Sequence, residues 1–442
     1  MVPDRFRLAF CLLDTLRRCT PSNIRKALNE LPKTLDEMYE RLLQEIPEEK
    51  QEDANRLFQC LVVAIRPLRA EELAELFAIE FDRDGGSSLK EAWRPVESPE
   101  DAVLSACSTL IAIVEIEGSK IVQFSHLSVK EYLTSDRLRT SEMKHYHISL
   151  DAAHTLLVRA CLAVLLQLDE SVDKKRLETF PLAFYAAQHW VDHAKYEDVA
   201  SRLQGAMEEL FNPSKPYFAA WTWICDVDDI YEKRETIDDL KERPERPGKT
   251  ALYYAALCGF RALADYLITT HGENVHIKCG ARGSPLSAAS YGGNLDTVRL
   301  LLAHHAFEHT FYPRYSTTPL HQASLGGHVD ITRLLLQYNA GALNGQDNML
   351  ETPLHKASED GSTRVVQLLL ERGAAVNPRN LSNSTPLYKA SEGGHLEVVQ
   401  LLLEHGAGVR LRGEDHQTPF QVATLRGHVK VVQLLLEHGA KK

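Results

Sequence analysis

Thr318-Pro319-Leu320-His321-Gln322-Ala323 and Thr352-Pro353-Leu354-His355-Lys356-Ala357 are nearly the same six residues, 34 positions apart. Looser copies begin at Thr250 (TALYYA), Ser284 (SPLSAA), Thr385 (TPLYKA) and Thr418 (TPFQVA), and the six starts step by 34, 34, 34, 33 and 33. A fixed period of this length means one supersecondary unit repeated in tandem. Its grammar is legible. Thr or Ser caps a helix, and Pro usually follows in the first turn, where an N–H has no intrahelical partner. That helix is short and ends at glycines such as Gly326-Gly327 or Gly393-Gly394. A second helix carries a dense apolar face, Val398-Val399 with Leu401-Leu402-Leu403, or Val431-Val432 with Leu434-Leu435-Leu436. It stops at His405-Gly406-Ala407 or His438-Gly439-Ala440, with Gly in the left-handed position past the helix end. A helix pair this small cannot bury such a face alone; stacked on its neighbours it can.

Residues from Lys249 to the end therefore resemble six ankyrin repeats. The resemblance implies an α-solenoid with a long concave surface that contacts proteins through inner helices and hairpin fingers. The repeated Thr, Pro, Leu, His and Gly are expected to be architecture rather than binding residues.

A chain of 442 residues holds two or three domains. Its eight cysteines form no CxxC pair, which fits thiols in a reducing compartment better than a disulfide framework or a zinc site. Asp4, Arg5 and Arg7 precede only a short apolar run, unlike a signal peptide. The stretch from Leu156 to Leu168 contains Arg159 and is too short to span a bilayer. The expected setting is the cytoplasm, with the nucleus also open, and no membrane. Residues 1–240 carry a net charge of −14 and residues 241–442 one of +3. An acidic front half is poorly suited to nucleic acid.

In the front half, helices are expected over Arg5 to Arg18, Ile24 to Leu31 and from Leu35, the last capped by Thr34 with Glu37 three residues on. From Glu52 the pattern changes. Helices at Asn55 to Ala64, Arg69 to Leu76 and Ser98 to Thr109 are followed by two β-branched runs, Leu110 to Ile116 and Lys120 to Phe124, around a turn at Glu117-Gly118-Ser119. Between the second and third helices lies a loop with Gly85-Gly86-Ser87-Ser88. Three helices and a hairpin suggest a winged helix. Helices at Leu150 to Leu168, Arg176 to Ala194 and Tyr196 to Leu210 follow, with an aromatic cluster (Phe184, Tyr185, Trp190, Phe211, Tyr217, Phe218, Trp221, Trp223) expected to pack against the first repeat. Lys241 to Lys249, broken by Pro244, Pro247 and Gly248, is the expected linker. The expected division is a helical segment at 1–48, a winged-helix domain at 49–140, a helical connector at 141–240 and the repeats at 241–442. The fold class is mainly α.

Three phrases in this half, LPKTLDEMYERLL from Leu31, RPLRAEELAE from Arg66 and FSHLSVKEYL from Phe124, resemble the segment after the NACHT nucleotide-binding domain in fungal NLR-like, STAND-type proteins. The resemblance covers residues 5–140. It implies that the winged helix folds back on a nucleotide and that His126 corresponds to a sensor of the ADP β-phosphate. It also implies an NTPase module ending near Met1, so the chain is either a truncated relative or a fragment. No G-x-x-x-x-G-K-[ST] occurs; Gly248-Lys249-Thr250 has Arg243 where the first Gly belongs. Without the module, His126 is expected to be structural at a strand–helix junction, and no cofactor is expected.

Other chemistry finds no constellation. His189 and His193 have metal-capable spacing, but HWVDH lacks the Glu of HExxH and no third ligand is indicated. Relatives with such a winged helix are sometimes named for an inositol deacylase, yet no G-x-S-x-G nucleophile elbow exists. The third winged-helix helix holds Glu100 and Asp101 and no Lys or Arg, and the wing one Lys, Lys120, so DNA binding is not expected. No enzyme is expected.

The expected partner surface lies on the fingers. Ankyrin fingers prefer Gly two positions before the Thr, but here Arg282, Ser316, Leu350, Asn383 and His416 follow Gly248 in that role. Reshaped fingers ahead of repeats 3 to 6 are the expectation, because Leu350 tolerates positive φ poorly. Phe311, Tyr312, Arg314, Tyr315, Met349, Leu350, Arg379, Leu381, Arg410 and Arg412 form the candidate contact strip, since exposed aromatic and Arg residues anchor interfaces. Phe311 and Tyr312 could equally cover the second helix of repeat 2. The last repeat shows no clear polar outer face, leaving it open to self-association or to a longer array. The leading expectation is a non-enzymatic adaptor that binds protein; the alternative is the regulatory half of a nucleotide-dependent STAND switch.

Overall fold

The computed structural model describes residues 34–82, 87–89, 98–228, 239–240, 249–306 and 317–440. The helices expected before Thr34, the Gly85-Gly86 turn and the linker at 241–248 lie outside them. The chain forms two compact units. One holds the described residues up to 210 with Ala220–Cys225 and 239–240; the other holds Phe211–Ala219, 226–228 and the chain from 249 on.

In the first unit, α1 (Leu35–Gln44) starts at Thr34, whose Oγ1 accepts the Glu37 N–H at 3.2 Å. The winged helix is built from α2 (Gln51–Val63), β1 (Leu68–Arg69), α3 (Ala70–Leu76), β2 (Ile79–Phe81), β3 (Ser87–Leu89), α4 (Pro99–Ala106), β4 (Ile111–Ile116) and β5 (Ser119–Phe124). Its sheet has the order β1-β5-β4, with Leu68 opposite Val122 and Ile113 opposite Val122 from the other side. Glu117 (φ 51°) and Gly118 (φ 80°) form the two-residue wing turn, both left-handed as a right-twisted hairpin requires. Two features depart from the expectation. Arg69 opens α3 but also pairs in β1, and the expected loop around Ser87 is a strand against β2. Both strands are only two or three residues long, too short to show alternation. The third helix ends at Ala106 rather than Thr109, because Cys107 is already extended.

Beyond the sheet come α5 (Leu127–Leu133), α6 (Asp136–Arg139), α7 (Leu150–Leu165), α8 (Lys174–Leu177), α9 (Ala183–Ala194), α10 (Val199–Arg202), α11 (Gln204–Phe211) and α12 (Tyr217–Ile224). The expected single helix from Arg176 to Ala194 is two, α8 and α9, separated around Pro181, which offers no N–H to continue a helix. The helix expected from Tyr196 is likewise split into α10 and α11. The aromatic cluster divides between the units. Trp190 and Trp221 meet edge to face at 5.4 Å in the first, with Trp221 Nε1 donating to the Ala187 carbonyl. Phe218 meets Phe211 and the first-repeat ring of Tyr254 in the second.

The second unit stacks six helix pairs: α13–α14 (Ala251–Cys258, Arg261–Thr269), α15–α16 (Pro285–Tyr291, Leu295–Ala303), α17–α18 (Pro319–Leu325, Val329–Tyr338), α19–α20 (Pro353–Asp360, Thr363–Glu371), α21–α22 (Pro386–Gly393, Leu396–Glu404) and α23–α24 (Pro419–Leu425, Val429–Glu437). Each first helix starts on the expected cap: Thr250, Ser284, Thr318, Thr352, Thr385 or Thr418. The phrase histidines are architectural. Nδ1 of His321 accepts the Thr318 N–H while Nε2 donates to the Glu351 carbonyl; His355 does the same between Thr352 and Ser384. Each ring therefore ties one repeat to the finger of the next. His328, His395 and His428 donate through Nε2 to carbonyls of the preceding repeat, Tyr291, Glu359 and Glu392. The array begins on Lys249, bridged to Asp226 and Asp228. No helix among the described residues is long and apolar enough to cross a membrane, and no disulfide joins the described cysteines.

Candidate protein-interaction surface

Fingers ahead of repeats 4, 5 and 6 are closed by the same backbone bond. In each, the first N–H donates to the fifth carbonyl: Asp347 to Glu351 at 2.9 Å, Asn380 to Ser384 at 3.1 Å, Gly413 to Gln417 at 2.8 Å. The fourth residue is left-handed in all three, at Leu350 (φ 56°), Asn383 (φ 61°) and His416 (φ 59°). The expected reshaping is thus not found ahead of repeats 4 and 5, whereas the finger ahead of repeat 6 carries a second left-handed residue, Asp415 (φ 49°). Local bonds hold the turn even with Leu in place: Asp347 Oδ1 accepts the N–H groups of Met349 and Glu351, and Asn380 Oδ1 accepts that of Ser384. Another altered finger precedes repeat 2, where the left-handed residues are Gly280 and Gly283 and not Arg282. The finger before repeat 3 lies mostly outside the described residues.

Neighbouring fingers are joined at their tips. The Leu381 N–H donates to the Met349 carbonyl at 2.8 Å, and Arg379 Nη1 reaches the Arg412 carbonyl at 3.5 Å. Met349, Leu350 and Leu381 are 46%, 40% and 59% exposed, so the fingers bring three large apolar side chains onto one edge. Arg379 and Arg412 are exposed beside them. Arg410 is also exposed, but its guanidinium is bound to the Gly439 carbonyl and staples the last repeat. Phe311, Tyr312, Arg314 and Tyr315 lie outside the described residues. Tyr338, at the end of α18, is 56% exposed and was not singled out from the sequence; nothing in its local pattern distinguishes it from the apolar helix face preceding it.

Beneath the fingertips sits a buried ionic network that the sequence reading also missed. Glu351 accepts from Asn380 Nδ2 at 2.9 Å and pairs with Lys356 and Lys389. Burial pushes its carboxyl up, but the Lys356, Asn380 and Lys389 contacts outweigh this and hold it at about 2. Lys356 and Lys389 are correspondingly raised despite burial. The available signal was the Lys that recurs in TPLHKA and TPLYKA. Lys389 to Glu359 (3.3 Å) and Arg426 to Glu392 (2.8 Å) repeat an ion pair between successive inner helices. The inner helices of repeats 4 to 6 are therefore cross-paired, and the fingertips carry a cluster of three exposed apolar side chains; Leu425 and Val429 of the last repeat are exposed as well.

The winged helix offers a different arrangement. His126 caps α5: its Nδ1 accepts the Ser128 N–H at 3.0 Å and lies 2.8 Å from Ser128 Oγ, which meets the buried Tyr39 hydroxyl at 2.7 Å. The lone wing cation, Lys120, pairs with Glu100 of α4. Among the described residues no three His, Cys, Asp or Glu side chains converge as a metal ion would require.

Comparison with known proteins agrees with this architecture. A family model of ankyrin repeats in three copies matches residues 286–380 and again 376–442. The winged helix domain of GPI inositol-deacylase matches residues 39–144. The chain thus carries a winged-helix domain and ankyrin repeats. It is also similar to azaphilone pigments biosynthesis cluster protein L of Monascus ruber, at 31% identity over 289 residues. That alignment covers 62% of this chain and 60% of the relative.

Proposed function

We propose that the chain is a non-enzymatic adaptor that captures a protein through the ankyrin fingertips, with Met349, Leu350 and Leu381 as apolar anchors and Arg379 and Arg412 at their border. Phe311, Tyr312, Arg314 and Tyr315 would extend the strip, and Arg410 would brace it. The interaction array is 241–442, joined through the helical connector at 141–240 to the winged helix at 49–140 and the helical segment at 1–48. The observation that carries this reading is the exposed Met349–Leu381 edge on fingers locked by backbone bonds. A rigid apolar edge binds with little ordering cost. A photo-crosslinking residue at Leu350 should capture a protein in cells that the same residue at Arg364, on the outer helix α20, does not; equal capture at both positions would count against the strip.

A second reading makes the chain the regulatory half of a NACHT, STAND-type switch. The winged-helix match and the placement of His126 at the start of α5 favour it. In that role His126 would exchange its Ser128 cap for a phosphate on a nucleotide held elsewhere. Titration with ADP, with and without an added NTPase module, separates the two, since the adaptor predicts binding in neither case. The pigment-cluster name of the Monascus relative adds a fungal secondary-metabolism setting to either reading and no reaction.

A further inference from the structure

A chain of hydrogen bonds runs through the first unit, buried at Tyr185 and His193, half-buried at His154 and exposed at Ile65. The Ile65 N–H, in the turn after α2, donates to the Tyr185 hydroxyl at 3.2 Å. That hydroxyl lies 2.8 Å from His193 Nε2, and His193 Nδ1 lies 2.8 Å from His154 Nδ1. His154 stacks on Tyr196 at 4.2 Å. Tyr185 and His193 are fully buried.

Burial of Tyr185 and His193 fixes the direction of the bonds they make. The Tyr185 oxygen accepts from Ile65, so its own hydrogen needs an acceptor, and His193 Nε2 is in reach. His193 then carries its proton on Nδ1 and donates it to His154 Nδ1. Both imidazoles must be neutral for the chain to close. One added proton forces a reversal: His154 donates to His193, His193 Nε2 donates to Tyr185, and the Tyr185 hydrogen is orphaned in the interior. An unmade bond to a buried polar group is costly.

The surroundings do not favour the charge. Burial lowers both histidines, His193 to about 4. His189 lies on the same helix, Cys60 and Cys161 are near Tyr185, and Arg66 stacks on the Tyr185 ring while bound to Glu72. Asp192 and Glu197 oppose this weakly. Glu75 of α3 accepts the Leu182 N–H at 2.7 Å beside the start of α9.

We propose that the Ile65–Tyr185–His193–His154 chain is an acid-released latch between the turn after α2 of the winged helix and the α7–α9 helix pair. Proton uptake by the two histidines opens it, loosening that turn while the helices persist.

Amide exchange of the full chain tests it, read at Ile65 and corrected for the intrinsic rate. From pH 7.5 to 5.5, Ile65 protection should fall about tenfold, while that of Leu162 inside α7 stays within about twofold. Tyr185→Phe should leave Ile65 fast at both pH values, with the acid step gone. His154→Gln, which keeps an acceptor and cannot titrate, should shrink the step to about threefold or less. Constant Ile65 protection in the wild type would overturn the latch, and so would a full acid step surviving in either variant.

Discussion

The Leu381 N–H donates to the Met349 carbonyl across 2.8 Å, so the fingers ahead of repeats 4 and 5 form one continuous edge. The price of that edge is a left-handed Leu350, with φ at 56°. A non-Gly residue there costs about 1–2 kcal/mol. Leu350→Gly relieves this but adds freedom to the unfolded chain, so a net gain of about 0.5 kcal/mol in urea stability is expected. The same change should weaken partner binding. Stability and binding moving in opposite directions is the outcome to look for; a loss of both would mean that Leu350 is packed rather than displayed.

Removing His355 should be severe. His355→Leu leaves the Thr352 N–H and the Ser384 carbonyl unpaired between repeats 4 and 5. Two unmet buried groups at about 1–3 kcal/mol each give an expected loss of about 2–6 kcal/mol in denaturant unfolding. A loss below about 1 kcal/mol would show that water replaces both bonds.

Acid should destabilise the array in two stages. Burial depresses His321 and His355, so the unfolded chain binds more protons below about pH 6.5 and stability falls from there. Glu351, held at about 2 against its usual 4.5, adds stability above pH 4.5 that is lost as pH falls through 2. Urea midpoints from pH 8 to 3 should therefore fall in two steps. Glu351→Gln should abolish the lower one, and at pH 7 should cost about 1–2 kcal/mol, because Lys356 keeps Asp347 and Lys389 keeps Glu359.

Glu75 should behave in the opposite sense. Burial, reinforced by Glu72, raises its carboxyl to about 8 although the Leu182 N–H pulls the other way. The folded state then binds more protons between pH 4.5 and 8, and this contribution to stability shrinks as pH rises through that window. Glu75→Gln should raise stability by about 2 kcal/mol at pH 8, with the difference gone below pH 4.5. Equal stability of the two proteins at pH 8 would contradict a buried neutral carboxyl.

The repeats were legible because period, cap and apolar face recur: six phrases located six helix pairs. The wing was legible from Glu117-Gly118 between β-branched runs. Short strands were not, since Leu68–Arg69 finds its partner only in β5, some fifty residues on. Pro181 was visible, but its effect in ending α8 was not applied. At the site, exposure of Met349 and Leu381 followed from their place between helices. The bonds of Glu351 to Asn380 and Lys389 did not, because they join successive repeats and form only when the repeats stack. The error over finger shape came from weighing the φ preference of Leu350 without the two N–H bonds that Asp347 supplies.

The measurement that tests the central claim is the affinity for a partner captured at Leu350, compared between the wild type and a Met349→Ser, Leu381→Ser double variant. The account predicts binding weakened about tenfold or more, with the melting temperature within about two degrees of wild type. Unchanged affinity in a folded double variant would contradict it and move the binding surface away from the fingertips.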